Sequence, residues 1–325
     1  MKTQLAVLER SQSDPVLEFA QDAVAGLTDS PRWLPCRYLY DERGSQLFEQ
    51  ICDQPEYYQT QAEAAILERR GGDIRATTGP VTLIELGSGT SVKTDFLLAA
   101  YTVNGESIRY VPIDVSESAL QVAAERIARL RPTVRVAGIV GTYESAFPLF
   151  RGHSPVMVVF LGSTIGNLNV TESAQFFTDL SDSLEPGDFF LLGVDLVKDA
   201  DVIEAAYNDR AGVTAQFTTN IFARMNRELG SAVDLDQIRH VAVYNSDWQR
   251  MEVFIEFLAD QEVKIGPLEK SLTVAAGERV MIEISRKFVI EDLQEHVEHF
   301  GFTVRNTYFD DDRRFGLLLM QSAGA

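Results

Sequence analysis

Between residues 81 and 196 the chain alternates two hydrophobic periodicities. Short apolar runs read as strands: VTLIEL (81–86), RYVPIDV (109–115), VRVAGIV (134–140), PVMVVFL (155–161) and DFFLLGVDL (188–196). Helical patterns near 91–101, 117–130 and 171–184 fall between them. Strands separated by helices of ten or more residues imply βαβ units and a parallel sheet. Near-continuous apolar strands fit a sheet covered on both faces. The predicted fold class is therefore α/β, a Rossmann-like doubly wound sheet.

Beyond residue 196 the pattern changes. Residues 200–228 read as helical, and 239–285 read as strands joined by short turns, as in RMEVFIEFL and RVMIEIS. A helix near 289–299 stops at Gly301, a suitable C-cap. TVRNTYFD and FGLLLMQS then form a hairpin across the polar DDRR at the sheet edge. The first 60 residues read as helix and loop lying outside the sheet. This predicts a doubly wound domain over 61–198 and 286–325, with five parallel strands before the insertion. It also predicts a second, α+β domain for substrate over 1–60 and 199–285.

Composition narrows the function class. The 325 residues are 45% hydrophobic, enough for one large domain or two small ones. Apolar runs are strand-length, so no membrane span is expected, and MKTQLAVLERSQSD lacks the apolar stretch of a signal peptide. Two cysteines are too few for a disulfide framework or a zinc site. A formal charge of −19 repels phosphate backbones, which argues against nucleic acid. The expectation is a cytoplasmic protein that handles a small molecule.

Three stretches carry candidate chemistry. ELGSGTSVKT (85–94) follows the first strand and opens a helix, where Gly87 and Gly89 let a ligand approach the backbone. Asp114 ends the second strand, where an acidic side chain can accept both ribose hydroxyls. Val92 stands where a dinucleotide fingerprint has its third glycine, which favours S-adenosylmethionine over NAD. FLGSTIGN follows the fourth strand beside the switch point of the sheet. There Gly162 and Gly166 allow close approach, and Asn167 offers a donor and an acceptor, or else simply caps the next helix. In RVMIEIS, strand alternation puts Glu283 and Ser285 on one face and Val280, Ile282 and Ile284 on the other. Such an acid and hydroxyl suit an imidazole or amine edge, or equally a solvated face. PEYYQT offers paired tyrosines in a loop, and HVEH pairs two histidines on an acid-rich helix where no metal is expected.

Taken together, RYLYDERGSQLFEQICDQPEYYQT, ELGSGTSVKT, FLGSTIGN, GVDLVKD, AAYND and EISRKF resemble the histidine-specific Nα-methyltransferases of ergothioneine biosynthesis. The resemblance runs through nearly the whole chain. It implies successive methyl transfers from S-adenosylmethionine to the α-amino nitrogen of histidine, ending at the trimethyl betaine, hercynine. It implies cofactor contacts by Gly87, Gly89, Lys93 and Asp114, with Thr142 and Tyr143 standing where the family commonly has Asp-Phe beside the adenine. Asn167 and Tyr207 would hold the amino-acid backbone beside Gly162, while Tyr57, Glu283 and Ser285 would surround the imidazole. Tyr40 and Phe48 would lie close to the transferred methyl. Val253 replaces a common methionine, a change that would make room for other aromatic amino acids such as tryptophan. The competing expectations are a nicotinamide oxidoreductase, which shares the fold and Asp114, and a non-catalytic binding protein on the same scaffold. The transfer itself is an in-line displacement, with water or a tyrosine relaying the proton.

Overall fold

The computed structural model describes residues 4–7, 14–103 and 105–324, which divide into two compact units. One contains residues 59–197 and 287–324 with a short N-terminal strand; the other contains 14–58 and 198–286. In chain order the first unit's strands are β1 (Gln4–Val7), β2 (Thr82–Leu86), β3 (Ile108–Asp114), β4 (Val134–Val140), β5 (Val156–Phe160) and β6 (Phe189–Asp195). The second unit supplies β7 (Ile238–Asn245), β8 (Arg250–Phe257), β9 (Gln261–Ile265), β10 (Lys270–Val274) and β11 (Arg279–Arg286). The chain then returns to the first unit for β12 (Phe302–Phe309) and β13 (Phe315–Ser322).

The first unit is an eight-stranded sheet in the order β1-β4-β3-β2-β5-β6-β13-β12. It is parallel from β1 to β6 and closes with the antiparallel pair β13 and β12. Strand order reverses between β2 and β5, so the crevice of this doubly wound sheet opens at their carboxyl ends. Alternation splits each strand between two covered faces. Leu83, Met157 and Val159 join one apolar cluster, while Ile84, Val158 and Phe160 join the other. One expectation is corrected: the N-terminal segment does not lie wholly outside the sheet. Gln4–Val7 pairs in parallel with Ala137–Val140 and adds a sixth parallel strand at the edge. Four residues between polar flanks are too short a run to read as a strand from periodicity alone.

A 21-residue helix, Tyr58–Thr78, feeds β2. Its central Gly71-Gly72 hides it from a propensity reading, yet a Cβ at Gly71 would already touch Ala100 at 3.1 Å. Three residues beside the points where the chain changes unit meet inside this one. Asp195 accepts from Gln59 Nε2 at 2.8 Å and pairs with Lys287 Nζ at 2.9 Å, both charged side chains being fully buried.

The second unit has its own core. Helices Pro15–Thr28, Glu42–Cys52, Ala200–Tyr207 and Val213–Leu229 contribute to one apolar cluster with the three-stranded sheet β11-β8-β7 and the pair β10-β9. Asp14 and Asp41 cap the first two helices through their carboxylates.

Candidate active site

In the first unit the turn after β2 is shaped by left-handed backbone at Gly87 (φ 63°) and Gly89 (φ 50°), with open space where each Cβ would stand. Such a turn lets a ligand approach the backbone closely. Gly89 N–H donates to Asp114 Oδ2 at 2.8 Å, and Ser116 N–H donates to Oδ1 at 2.9 Å. Burial pushes the Asp114 carboxyl above its ordinary range, and the backbone donors of Ser116, Gly89 and Val115 pull it back. Each carboxylate oxygen can accept more than one hydrogen bond, so Asp114 both fixes the turn and can receive hydroxyls.

Beneath that turn lies a buried carboxylate that the sequence pattern did not single out. Glu85, on β2, accepts from Thr94 and Tyr110, and Tyr110 also reaches Ser91 Oγ at 2.7 Å. Burial pushes Glu85 up to about 7 against these donors and Lys93. Thr142 caps the short helix Tyr143–Ala146, accepting from Ser145 N–H at 3.3 Å. Tyr143 packs its ring against Phe160 at 5.5 Å and Phe176 at 5.8 Å.

At the end of β5, Gly162 (φ 76°) and Ser163 (φ 57°) turn the chain sharply into a 3₁₀ segment, Thr164–Asn167. Ser163 Oγ accepts from Asp195 N–H at 2.9 Å, tying this turn to β6. Asn167 is not the helix cap. Asn169 is, through a capping box with Glu172, so the turn's job is done two residues later.

The second unit contains a recess of about 340 Å³, counting the solvent at its mouth. Tyr40, Phe48, Tyr57, Tyr207, Val253 and Glu283 are among its lining residues. Phe48 is the hub of its aromatic wall, with ring centroids 5.6 Å from Tyr40, 6.2 Å from Tyr57 and 5.9 Å from Phe217. Tyr207 donates to Ser285 Oγ at 2.7 Å. Burial, reinforced by neighbours that include Glu283, holds the Tyr40 and Tyr57 phenols well above their ordinary value. Both therefore favour the protonated form, in which a phenol can donate as well as accept a hydrogen bond.

How Glu283 enters the recess corrects the alternation argument. Val280 pairs with Ile255, and Glu283 pairs with Val253, so three positions on β11 match two on β8. This β-bulge between Met281 and Glu283 reverses the facing of everything beyond it. Cross-strand partners share a face. Glu283 and Ser285 therefore lie on the side of Val253 and Met251, as does Val280, which simple alternation had placed opposite. In a regular pairing of the same sequence Glu283 would stand opposite Glu252, on the other side of the sheet.

Within PEYYQT, Pro55 is exposed while Tyr57, Tyr58 and Gln59 are buried. The HVEH histidines are otherwise engaged: His296 sits edge-on to Phe177 and Phe300, and His299 Nδ1 lies 2.8 Å from Glu295 O.

Comparison with known proteins identifies the family. The family model described as histidine-specific methyltransferase, SAM-dependent, matches residues 19–322. A histidine N-alpha-methyltransferase of Mycolicibacterium smegmatis is 42% identical, covering 92% of this chain and 93% of its own. One from Mycobacterium tuberculosis is 40% identical over 93% of this chain and 94% of its own. Ergothioneine biosynthesis protein 1 of Neurospora crassa is 32% identical over 81% of this chain and 30% of its own longer one.

Proposed function

The chain belongs to the histidine-specific, S-adenosylmethionine-dependent methyltransferases, and from that premise we propose that it methylates the α-amino nitrogen of L-histidine three times, to hercynine. The observation that carries the choice of histidine is Glu283, a carboxylate that a bulge turns into an aromatic-walled recess. A carboxylate there accepts from an imidazole N–H, a bond roughly twice as strong as one between neutral groups. Tyr57 and Ser285 complete the imidazole side, and Val253, fully buried, forms part of the wall. Tyr207 holds the amino-acid backbone of the substrate.

The turn at Gly87 and Gly89 fits the cofactor's nucleoside, with Asp114 receiving its ribose hydroxyls and Tyr143 beside the adenine. S-adenosylmethionine supplies an electrophilic methyl carried on a sulfonium. The remaining work is alignment, which holds nitrogen, carbon and sulfur in line. Tyr40 and Phe48 wall the reacting amine from water, and a desolvated amine more readily gives up its proton. The proton leaves to water, directly or through a tyrosine hydroxyl. Each transfer would leave S-adenosylhomocysteine, to be exchanged for a fresh S-adenosylmethionine. The second and third need no new protein group, since secondary and tertiary amines are still nucleophiles. The quaternary product is not, and it dissociates. This reading includes a cytoplasmic location and no nucleic-acid, membrane or metal partner.

Incubation with S-adenosylmethionine and histidine, followed by mass spectrometry, tests it. Species with one, two and three added methyl groups are expected. Faster gain on tryptophan than on histidine would move the assignment to another aromatic amino acid, and no gain on any amino acid would leave a binding protein.

A further inference from the structure

The helix Tyr58–Thr78 brings one acid, Glu63, to the carboxyl ends of β5 and β6. Its side chain is fully buried, and its carboxylate oxygens accept from Gly162 N–H at 2.9 and 3.0 Å. It also pairs with Lys93 from the turn after β2. The space for this carboxylate is cut into β6, where any Cβ at Gly193 would run into Oε1 of Glu63. A buried ion pair returns little stability against well-packed apolar residues of the same volume. Stability alone therefore gives no reason for a glycine in mid-strand and a carboxylate fitted against it.

Placement supplies the reason. The order β3-β2-β5 runs across the crevice, with Asp114 at the tip of β3 and Gly162 at the tip of β5. A cofactor whose ribose meets Asp114 and whose nucleoside lies over the β2 turn extends its other end toward β5. That end of S-adenosylmethionine is an amino acid with an α-carboxylate. Lys93 stands there, 24% exposed beside a Glu63 that is fully buried, so the ammonium occupies the solvent side of the pair. A Cβ at Gly162 would come within 3.4 Å of Lys93 Nζ, which marks how closely the ammonium hugs the β5 turn.

We propose that Glu63 is a positioning residue that fixes the Lys93 ammonium against the β5 turn to receive the α-carboxylate of the cofactor. The inference rests on the S-adenosylmethionine reading. A lysine on a flexible four-carbon stem loses much of its advantage as an anion receptor unless something holds it beforehand. Glu63 does so from behind, and Gly193 makes the space.

Calorimetry on the full chain tests the proposal with two nucleoside thioethers. S-adenosylhomocysteine carries the amino-acid tail, and 5′-methylthioadenosine lacks it. Glu63→Gln keeps the size and an acceptor for Gly162 but loses the charge. It should weaken S-adenosylhomocysteine roughly tenfold and leave 5′-methylthioadenosine within about twofold. Gly193→Ala, which displaces the carboxylate without changing any charge, should show the same split. It carries the test alone if Glu63→Gln fails to fold. Equal losses for both ligands would mean a merely structural role and would overturn the proposal. So would unchanged or tighter binding of S-adenosylhomocysteine. If the unaltered protein bound neither ligand, the cofactor reading would fall instead.

Discussion

On the proposed function, the two units hold a small molecule in different ways. The first works mainly with backbone and buried charge: left-handed turns at Gly87, Gly89 and Gly162, with Glu63, Glu85 and Asp114 set around them. The second works with side chains, a wall of aromatic rings and one carboxylate delivered by an irregular strand. A nucleoside presents the same sugar and base to every enzyme that uses it, so fixed strand tips suffice. An amino-acid side chain must be told from its competitors, which calls for shape and one well-placed charge.

The comparison breaks first at Glu283. Glu283→Ala should lower histidine turnover by about 10²- to 10³-fold, because the recess then offers the imidazole N–H no charged acceptor. S-adenosylhomocysteine affinity, measured on the same preparation, should stay within about twofold. Comparable losses in both would show that the two units do not divide their work.

A second break uses pH. Glu85 is raised from 4.5 to about 7 in the folded protein, so between those values the native state holds a proton that the unfolded chain has released. Stability then falls as pH rises, fully present below about 4.5 and lost above about 7, by a total on the order of 3 kcal/mol. In Glu85→Gln, the change in melting temperature between pH 5 and 7.5 should be correspondingly flatter. An unchanged slope would remove Glu85 as its source.

Asp114→Ala should weaken S-adenosylmethionine by roughly 1.5–3 kcal/mol, the scale of hydrogen bonds to a charged group, with the affinity for histidine little altered. Calorimetry with each ligand separately reads this directly. The smallest effect is expected at Tyr207→Phe, which removes one hydroxyl from the recess and its 2.7 Å bond to Ser285. About 1 kcal/mol of substrate affinity should go, visible as a severalfold rise in KM with kcat nearly kept. A collapse of kcat instead would place the Tyr207 hydroxyl in the transfer step.

The sheet was legible because its signals are local. The strands from VTLIEL to DFFLLGVDL begin and end within a residue of their expected bounds, since period-two burial and continuous apolar runs are written in contiguous sequence. The turn glycines and Asp114 were legible for the same reason. Glu63, Gln59 and Lys287 were not. They act through partners distant in sequence, Gln59 being 136 residues from Asp195, and nothing near them announces it. Glu85 lay in plain view inside ELGSGT, but its burial depends on Tyr110 from the next strand. The bulge in β11 is the sharpest case. RVMIEIS read at period two gives the correct pairing of Glu283 with Ser285 and the wrong companion face, because one inserted residue is invisible without the partner strand.

The knot of Gln59, Asp195 and Lys287 bears on how such a molecule can be rebuilt. Each of the three sits within two residues of a junction between the units. Leu196 and Phe288 form a bridge directly beyond it. The segment 198–286 thus departs from and rejoins one closed stem, and the segment ending at Tyr58 arrives at the same stem. To the sheet, the inserted segment is a cassette with both ends soldered at a common point. A graft that preserves these three side chains can exchange everything hung from the stem without disturbing strand order. On the proposed function, selectivity for new amino acids would then be open to transplantation as well as to point substitution.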